Sequence, residues 1–332
     1  MKPSNEVIMD PCKRYRRCEF IGSGSYKIVY RAYDQEEGIE VAWNEIRLDK
    51  FNEVESNQIK QEISILHQLD HPSILKIFTA WRDLSRNSMI FITEFFSNGT
   101  IRAYVSDVVK APKRSVISKW CKQILEGLNY IHTHDPPVIH RDLKCDNLFI
   151  DASEGIVKIG DFGLSKITET GQAASCMGTP AYTAPEVYLG NYTTKADIWS
   201  FGLCVLEMMT GETPYSECVG IGAIYLKVSG GYMPASLAKV SDPVIADFIT
   251  MCLLPQEDRP SAADLLEHNL ILEFEQPEME AKENEFDYVQ NPDFLALIAR
   301  QEEELTEIKA RMREARRNLR AKIRQRKQTF EF

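Results

Sequence analysis

The chain has 332 residues, 44% of them hydrophobic, and its eight cysteines include no Cys-x-x-Cys pair. This composition fits a globular protein with one large core or two domains, and it argues against a disulfide scaffold and a zinc site. Because no apolar run is long enough to cross a membrane, and the N-terminus lacks the apolar core of a signal peptide, we expect a cytoplasmic protein.

The net charge of −10 is unevenly distributed. From Lys309 to the end the chain carries ten Lys or Arg and two Glu, a net charge of +8, which leaves −18 on residues 1–308. An acidic body argues against a nucleic-acid partner, and the basic stretch RMREARRNLRAKIRQRK (311–327) has no aromatic residues between its charges that could stack on bases. We interpret the basic stretch as a solvated helix face, with docking on the acidic body as the alternative.

The N-terminal part predicts a small antiparallel sheet. Residues 1–14 are expected to form a disordered leader, and three alternating stretches then predict strands at about 15–22, 26–34 and 38–48. The turn between the first two strands is rich in glycine (GSGS, 22–25). Its backbone N–H groups could cradle phosphates, although a plain hairpin turn is the other interpretation.

One helix and two more strands complete this lobe. Asn57 to Gln68 predicts a helix with Glu62 beside its apolar stripe, and HPSILKIF (71–78) and SMIFITEFF (88–96) predict strands. The sequence therefore predicts a five-stranded sheet with one helix.

After Thr100 the patterns become helical. The short runs LFI (148–150) and VKIG (157–160) predict two strands joined by a turn. A later polar segment (165–186) has the composition of a loop, and it is too long to be a connection without a function in a compact domain. Ser261 and Asp264 form an N-cap pattern for the last helix of this part. The predicted helices are 101–109, 116–132, 195–211, 221–230, 243–253 and 261–269.

The C-terminal part is predicted to be an acidic linker (273–290) and a long helix (291–327), which begins with Asn291 as cap and Pro292 in the first turn. An apolar seam at heptad spacing indicates either a coiled coil, which would make the chain a homo-oligomer, or a single solvated or docked helix. The seam consists of Phe294, Ile298, Gln301, Leu305, Ile308, Met312, Ala315 and Leu319.

The chemistry is concentrated in HRDLKCDN (140–147), which is followed 14 residues after Asn147 by Asp161-Phe162-Gly163. This stretch supplies a candidate base, Asp142, and two oxygen ligands for Mg²⁺, Asn147 and Asp161. It resembles the catalytic core of eukaryotic protein kinases.

The resemblance covers residues 15–272 and implies an α+β, bilobal protein kinase-like fold, with a small sheet lobe (15–97) and a larger helical lobe (98–272). Lys144, two residues after Asp142, is the choice typical of serine/threonine kinases. The resemblance further implies supporting roles for Glu62 (orienting the phosphate-binding lysine), Ala184-Pro185-Glu186 (closing the activation segment), Asp197 (supporting the catalytic loop) and Arg259 (pairing with Glu186).

One position departs from the protein kinase pattern. The third strand normally carries a lysine that binds phosphate, but here it reads Val41-Ala42-Trp43-Asn44, and Asn is neutral and too short to replace it. Two hypotheses follow. The chain is either a catalytically weak or dead kinase fold kept as a nucleotide-binding scaffold, or a kinase in which the charge is supplied from elsewhere.

Strand parity favours the second hypothesis. Side chains alternate along a strand, so Ala42 and Asn44 face the nucleotide, and on the second strand Val29 and Lys27 share that face. Lys27 occupies the place of the third glycine of the Gly-rich motif. This relocated lysine is similar to that of the "with no lysine" family of serine/threonine kinases.

The resemblance implies a set of roles. The expected catalytic residues are Asp142, Lys144, Lys27 and Glu62. The expected metal ligands are Asn147 and Asp161. ATP and Mg²⁺ are the expected cofactors, protein substrates the expected partners, and downstream sterile-20-related kinases a candidate class of substrate. Ser175 is the expected phosphorylation site of the activation segment, with Thr179 as a contact residue. The expected ATP-binding residues are Ile21, Gly22, Ser23, Gly24, Ser25, Lys27, Val29, Ala42, Thr93, Glu94 and Phe96.

Overall fold

The computed structural model describes residues 8–24, 27–108, 112–162 and 179–275. Ser25, Gly163, Ser175, most of the acidic linker and the whole predicted C-terminal helix therefore lie outside the described residues. The chain divides into two units after Glu275, and all the described residues belong to the first.

The small lobe is a five-stranded antiparallel sheet. Its strands are β1 (Tyr15–Ser23), β2 (Lys27–Asp34), β3 (Ile39–Arg47), β4 (Ile77–Asp83) and β5 (Ser88–Glu94). They lie in the order β1-β2-β3-β5-β4, with β3 at the centre. The five strands and their antiparallel arrangement agree with the sequence prediction.

The fourth strand begins later than predicted. β4 starts at Ile77, whereas the sequence placed a strand over 71–78. The preceding residues turn toward the large lobe, where Leu75 N donates to Ile159 O and Ile159 N donates to Ser73 O, each at 2.8 Å. Because these backbone groups are paired with the large lobe, they cannot join the small sheet.

The helix of the small lobe, α1 (Glu53–Gln68), begins four residues before the predicted start at Asn57. Asn52 caps it. The Asn52 side chain accepts from Glu55 N at 2.9 Å, and the Glu55 side chain accepts from Asn52 N at 2.8 Å. This reciprocal capping box satisfies two donors at the helix start and fixes its position.

Residues 8–14 are not a free leader. Met9 forms a β-bridge with Arg16, and the Asp10 carboxylate accepts from Tyr15 N at 2.6 Å. Arg14 forms an ion pair with Asp34, which is buried at the end of β2. The polar composition of this segment led to the prediction of a disordered leader, but its charged groups Asp10 and Arg14 contact residues of the sheet.

The large lobe is mainly helical and carries one small hairpin. Its helices are α2 (Ile101–Asp107), α3 (Arg114–His132), α4 (Pro185–Tyr188), α5 (Lys195–Thr210), α6 (Ile221–Ser229), α7 (Pro243–Cys252), α8 (Ala262–Leu266) and α9 (Asn269–Glu275). The hairpin pairs β6 (Leu148–Asp151) with β7 (Ile156–Ile159). Among the described residues, no helix combines the length and apolar character needed to cross a bilayer.

Apolar side chains pack on both faces of the small sheet. Trp43, Ile90 and Ile92 pack on its outer face, where the Trp43 ring meets Trp81 edge-on at 5.0 Å. Ile46 and Phe91 point the other way and belong to a core that continues through α1 into the large lobe. Alternation along β3 therefore separates an outer structural face from an inner face that borders the cleft between the lobes.

A buried ion pair anchors the end of the activation segment. Arg259 is fully buried, and its guanidinium contacts both carboxylate oxygens of Glu186, at 2.5 and 3.2 Å. It also donates to the carbonyls of Lys195 and Leu254 at 2.7 and 3.0 Å. The pairing implied by the protein kinase resemblance is thus present in the structure.

We predict that Arg259→Met destabilises the protein by about 3–5 kcal/mol, because it leaves the buried carboxylate of Glu186 without its partner. Chemical denaturation of both proteins measures the difference. Arg82→Met is the matched control: Arg82 is exposed on β4, and its loss should change stability by less than about 0.5 kcal/mol. Equal losses for the two variants would contradict the prediction.

Candidate active site

Asp197 on α5 stabilises the loop that contains His140, Arg141 and Asp142, here called the catalytic loop. The two carboxylate oxygens of Asp197 accept from His140 N at 2.8 Å and from Arg141 N at 2.9 Å, and His132 Nε2 lies 2.9 Å away. Burial works to raise the pKa of Asp197, but the hydrogen bonds, led by that of His132, hold the pKa below its usual range. Asp197 is therefore an ionised acceptor that fixes the backbone just before Asp142.

The candidate base, Asp142, is contacted by a lysine and a threonine. Lys144 Nζ lies 2.8 Å from Asp142 Oδ2 and 2.9 Å from Thr179 Oγ1. Thr179 N and Oγ1 lie 3.3 and 3.4 Å from Asp142 Oδ1. The structure thus brings together three residues that the sequence assigned to this site, and it orients Asp142 toward the end of the activation segment.

The two candidate metal ligands are adjacent. Asn147 Nδ2 donates to Asp142 O at 2.7 Å, and Gly160 N donates to Asn147 O at 2.9 Å. This backbone bond places Asp161, the next residue, beside Asn147. One carboxylate and one amide oxygen form a donor set that suits Mg²⁺, which takes few protein ligands and completes its shell with water and phosphate oxygens.

Lys27 reaches this pair from β2. In the β2–β3 register Val29 lies opposite Asn44 and Lys27 opposite Ile46, so all four side chains share the inner face of the sheet. The Lys27 ammonium forms an ion pair with Asp161. The lysine of the Gly-rich motif is therefore located at the metal-ligand end of the cleft.

Asn44 is turned into the sheet. Its Nδ2 lies 3.2 Å from Thr93 Oγ1, 3.3 Å from Ala42 O and 3.4 Å from Phe91 O, and the side chain is buried. Thr93 Oγ1 in turn donates to Glu94 O at 3.1 Å. Asn44 thus stabilises the back wall of the cleft through these hydrogen bonds, and its amide is not available to bind phosphate.

Glu62 does not contact Lys27 in this structure. Among the described residues it forms no hydrogen bond or ion pair, although the charge of Arg141 acts on it. Burial raises the pKa of Glu62, and the positive charge of Arg141 offsets part of that effect. The orienting role that the resemblance implies for Glu62 would require Lys27 to move from Asp161.

The other residues that the sequence predicts to bind ATP come from β1, β2, β3, β5 and the residues just after β5. Thr93 and Ala42 are buried, and Glu94 is fixed by Lys158 at 2.7 Å. Phe96 lies near Phe149 of the hairpin, with ring centroids 6.1 Å apart. At the open end, Ile21, Gly22 and Ser23 lie on β1, Gly24 N donates to Lys27 O at 2.8 Å, and Val29 pairs with Gly22.

A polar network under the catalytic loop was missed by the sequence analysis. Arg102 on α2 contacts Asp146 at 2.8 Å, Glu207 on α5 at 2.7 Å and the Tyr182 hydroxyl at 2.8 Å, and Tyr182 also donates to Glu207. Burial raises the pKa of Glu207, although its hydrogen bond with Tyr182 works against this. The sequence feature that could have indicated this network is Glu207, a single charged residue inside the apolar run FGLCVLEMM.

Comparison with known proteins agrees with this geometry. The family model for the protein kinase domain matches residues 15–271, and the chain belongs to this family. The chain is also 43% identical over 274 residues to the probable serine/threonine-protein kinase WNK10 of Arabidopsis thaliana, which confirms the resemblance to the with-no-lysine kinases. The match covers 82% of this chain and 52% of the relative, so the chain spans about half the length of that protein.

We predict that Glu62→Gln raises the thermal unfolding midpoint at pH 7 by about 2 °C. A carboxyl whose pKa is raised on folding destabilises the folded state when it ionises, so a neutral amide is favoured above the folded pKa. The gain should vanish as the pH falls to about 4, where the unfolded carboxyl is also protonated. Scanning calorimetry at the two pH values measures both effects.

Glu267→Gln, an exposed change near the end of α8, is the control and should leave the midpoint unchanged at both pH values. A Glu62→Gln protein that is less stable than wild type at pH 7 would show that Glu62 has a stabilising partner and would contradict this prediction.

Proposed function

We propose that this chain is a serine/threonine protein kinase that transfers the γ-phosphate of ATP to protein hydroxyl groups, with Lys27 as its phosphate-binding lysine. The observation that carries the proposal is the contrast between two side chains on the inner face of the sheet. Lys27 presents its ammonium at Asp161, while Asn44 is bonded to Thr93 and to backbone carbonyls. The charge expected on the third strand is thus available from the second.

The proposed division of work follows from the contacts of each residue. Asp142 orients the substrate hydroxyl and accepts its proton, and Lys144, 2.8 Å from Asp142, supplies positive charge beside the transferring phosphate. Lys27 neutralises phosphate charge from the sheet side. Asn147 and Asp161 would hold Mg²⁺, which neutralises and orients the phosphates when bound.

Nucleotide binding and the ion pair of Lys27 are linked in this proposal. Lys27 and Asp161 neutralise each other in the structure. If Asp161 served as a metal ligand, its charge would be engaged there, and Lys27 would be available for phosphate oxygens and for Glu62. Glu62, which has no ionic partner among the described residues, would then gain one, and its carboxylate would favour the ionised form.

We further propose protein substrates of the sterile-20-related kinase class and a cytoplasmic location. The seven cysteines of the described part of the chain are all free thiols, which supports a reducing compartment. The class of substrate rests on the resemblance to the with-no-lysine kinases alone.

We predict that Lys27→Met lowers kcat/KM for a generic serine peptide by about 100-fold or more, because it removes the charge that stabilises the phosphates. Asn44→Ala should stay within about tenfold of wild type, since Asn44 contacts only the back wall of the cleft. Steady-state kinetics with Mg²⁺-ATP measures both. A Lys27→Met protein as active as wild type would refute the relocated lysine.

The same assay separates the alternative function, a nucleotide-binding scaffold. A scaffold binds ATP but transfers no phosphate even as the wild-type chain, whereas a kinase loses transfer only when Asp142 or Lys27 is replaced. Calorimetric titration with ATP, run beside the kinetic assay, distinguishes the two.

We predict that Ser175→Ala leaves ATP affinity unchanged and lowers turnover by about tenfold or more, because a phosphate on this residue would pair with a basic group and order the segment. Arg141 is the proposed partner: it is exposed, and Asp197 fixes its backbone beside Asp142. Titration and steady-state kinetics test the two halves separately. Full turnover by the variant would contradict the proposed phosphorylation site.

A further inference from the structure

The large lobe has a surface cavity between α2, α3 and the hairpin, which we call the α3 cavity. Its volume is about 320 Å³, and Tyr104, Val116, Trp120 and Ile150 supply apolar walls. The ring centroids of Tyr104 and Trp120 are 6.2 Å apart, so aromatic side chains of two helices form one wall. This volume lies at the lower end of the range for ligand sites, and it suits one large apolar side chain better than a cofactor.

Lys119 lies exposed at the rim of this cavity, and its position is fixed. Its Nζ donates to the carbonyl of Glu154 in the hairpin turn at 3.3 Å. Gly155 makes room for the lysine, because a Cβ on Gly155 would lie 2.5 Å from Lys119 Nζ. Gln123 joins α3 to the hairpin: its Nε2 donates to Gly155 O at 3.1 Å, and its Oε1 accepts from Val157 N at 2.9 Å. The cavity and its cation are therefore preformed.

The stretch of chain around the cavity is basic, in contrast to the rest of the body. Between Asp107 and Glu126 the sequence has no acidic residue, whereas residues 1–308 carry a net charge of −18. Of the described residues in this stretch, Lys113 and Lys119 are exposed and form no ion pair with a carboxylate. An apolar cavity bordered by cations is complementary to an apolar side chain flanked by carboxylates. The basic residues of the stretch are Lys110, Lys113, Arg114, Lys119 and Lys122.

Two acidic side chains of the hairpin border this basic surface. The Asp151 carboxylate is engaged within the turn, where it accepts from Ser153 N at 3.0 Å and from Ser153 Oγ at 2.6 Å. The Glu154 side chain is exposed and would repel an incoming carboxylate. Because Lys119 is bound to the backbone carbonyl of Glu154, the charge at this position can be removed without disturbing the lysine.

The cavity is separate from the nucleotide cleft. Asn147 immediately precedes β6, and the turn residues that border the cavity, 152–155, follow the other end of that strand. At about 3.3 Å per residue, β6 places the turn roughly 15 Å from the metal-ligand end of the hairpin. A segment bound in the cavity would leave the cleft open, and about five extended residues would connect it to a serine at Asp142.

We propose that the α3 cavity docks an acidic segment of protein substrates, with one large apolar side chain in the cavity and carboxylates beside Lys119 and the other basic residues of α3. The proposal rests on the proposed kinase function. A substrate is favoured because the cavity and the metal ligands lie on the same hairpin, so one partner chain can occupy both sites. A basic segment would be repelled by α3, and a wholly apolar segment would leave Lys119 without a partner.

Fluorescence anisotropy with the full chain tests binding without catalysis. The probe is a labelled peptide with one phenylalanine flanked on both sides by glutamates. Lys119→Glu should weaken its binding about tenfold or more, and so should Ser115→Trp, which places a bulky ring at the exposed rim of the cavity. Glu154→Gln should strengthen binding by about twofold or more, because it removes a repelling charge.

Lys50→Glu is the matched control. Lys50 is also exposed, but it lies in the small lobe just after β3, so its reversal makes the same change in net charge and should leave binding unaltered. Two further peptides, one with alanine in place of phenylalanine and one with lysines in place of glutamates, should bind about tenfold more weakly or worse. Equal binding of the probe by wild type and Lys119→Glu, or equal binding of the three peptides, would overturn the proposal.

Steady-state kinetics tests whether docking serves substrates. The acidic segment is joined through a flexible Gly/Ser linker to the generic serine peptide. With the wild-type chain the joined peptide should have a KM about tenfold lower than the generic peptide, at the same kcat. Lys119→Glu should raise the KM of the joined peptide to that of the generic one and leave the generic peptide unaffected. A KM for the joined peptide that does not depend on Lys119 would overturn the substrate role.

The docking proposal and the proposed function fail in different ways. If the wild-type chain phosphorylates no peptide, the proposed function fails and the substrate role with it, whereas anisotropy would still show whether an acidic segment binds the cavity. Sedimentation velocity examines a second copy as the occupant. If the wild-type chain self-associates, binds no acidic peptide and dissociates with Lys119→Glu, the cavity is covered by a second copy and the substrate-docking proposal is overturned.

Discussion

The geometry of the catalytic loop depends on one buried carboxylate. Arg141 has a φ of 70°, in the left-handed region that side chains other than glycine rarely adopt. The bonds from His140 N and Arg141 N to Asp197 stabilise that backbone, and His132 satisfies the same carboxylate from α3. Two packed helices of the large lobe thus hold a turn that its own sequence does not favour, and that turn aims Asp142 into the cleft.

A second constraint is the register of β2 against β3. Because Val29 pairs with Asn44, every second residue of both strands faces the cleft, and Lys27 reaches Asp161 from β2. A shift of one residue would turn Lys27 to the outer face, where Trp43 and Ile92 pack. The outer apolar cluster therefore preserves the position of the charge as well as the stability of the sheet.

The features that could be predicted from the sequence are those that local residue patterns determine. The strands, their parity and the placement of Lys27 follow from alternation, and the kinase motifs located Asp142, Asn147 and Asp161. Its errors have physical causes. Asn52 and Glu55 begin α1 through a reciprocal cap outside the apolar stripe, and residues 73–75 pair with β7 across the lobes. The Arg102–Glu207 contact joins residues more than 100 positions apart, and no periodicity reports such a pair.

The inward turn of Asn44 changes which side of the cleft is chemically reactive. In a kinase with a lysine on the third strand, an amine-reactive group carried near the nucleotide phosphates forms its bond with that strand. Here the third strand offers only an amide, bound to Thr93, and the nearest primary amine on the inner face of the sheet is that of Lys27 on β2. A lysine-directed nucleotide analogue would attach to Lys27 on β2, the strand that follows the Gly-rich turn. A reagent designed to react with a lysine on the third strand would find no amine there.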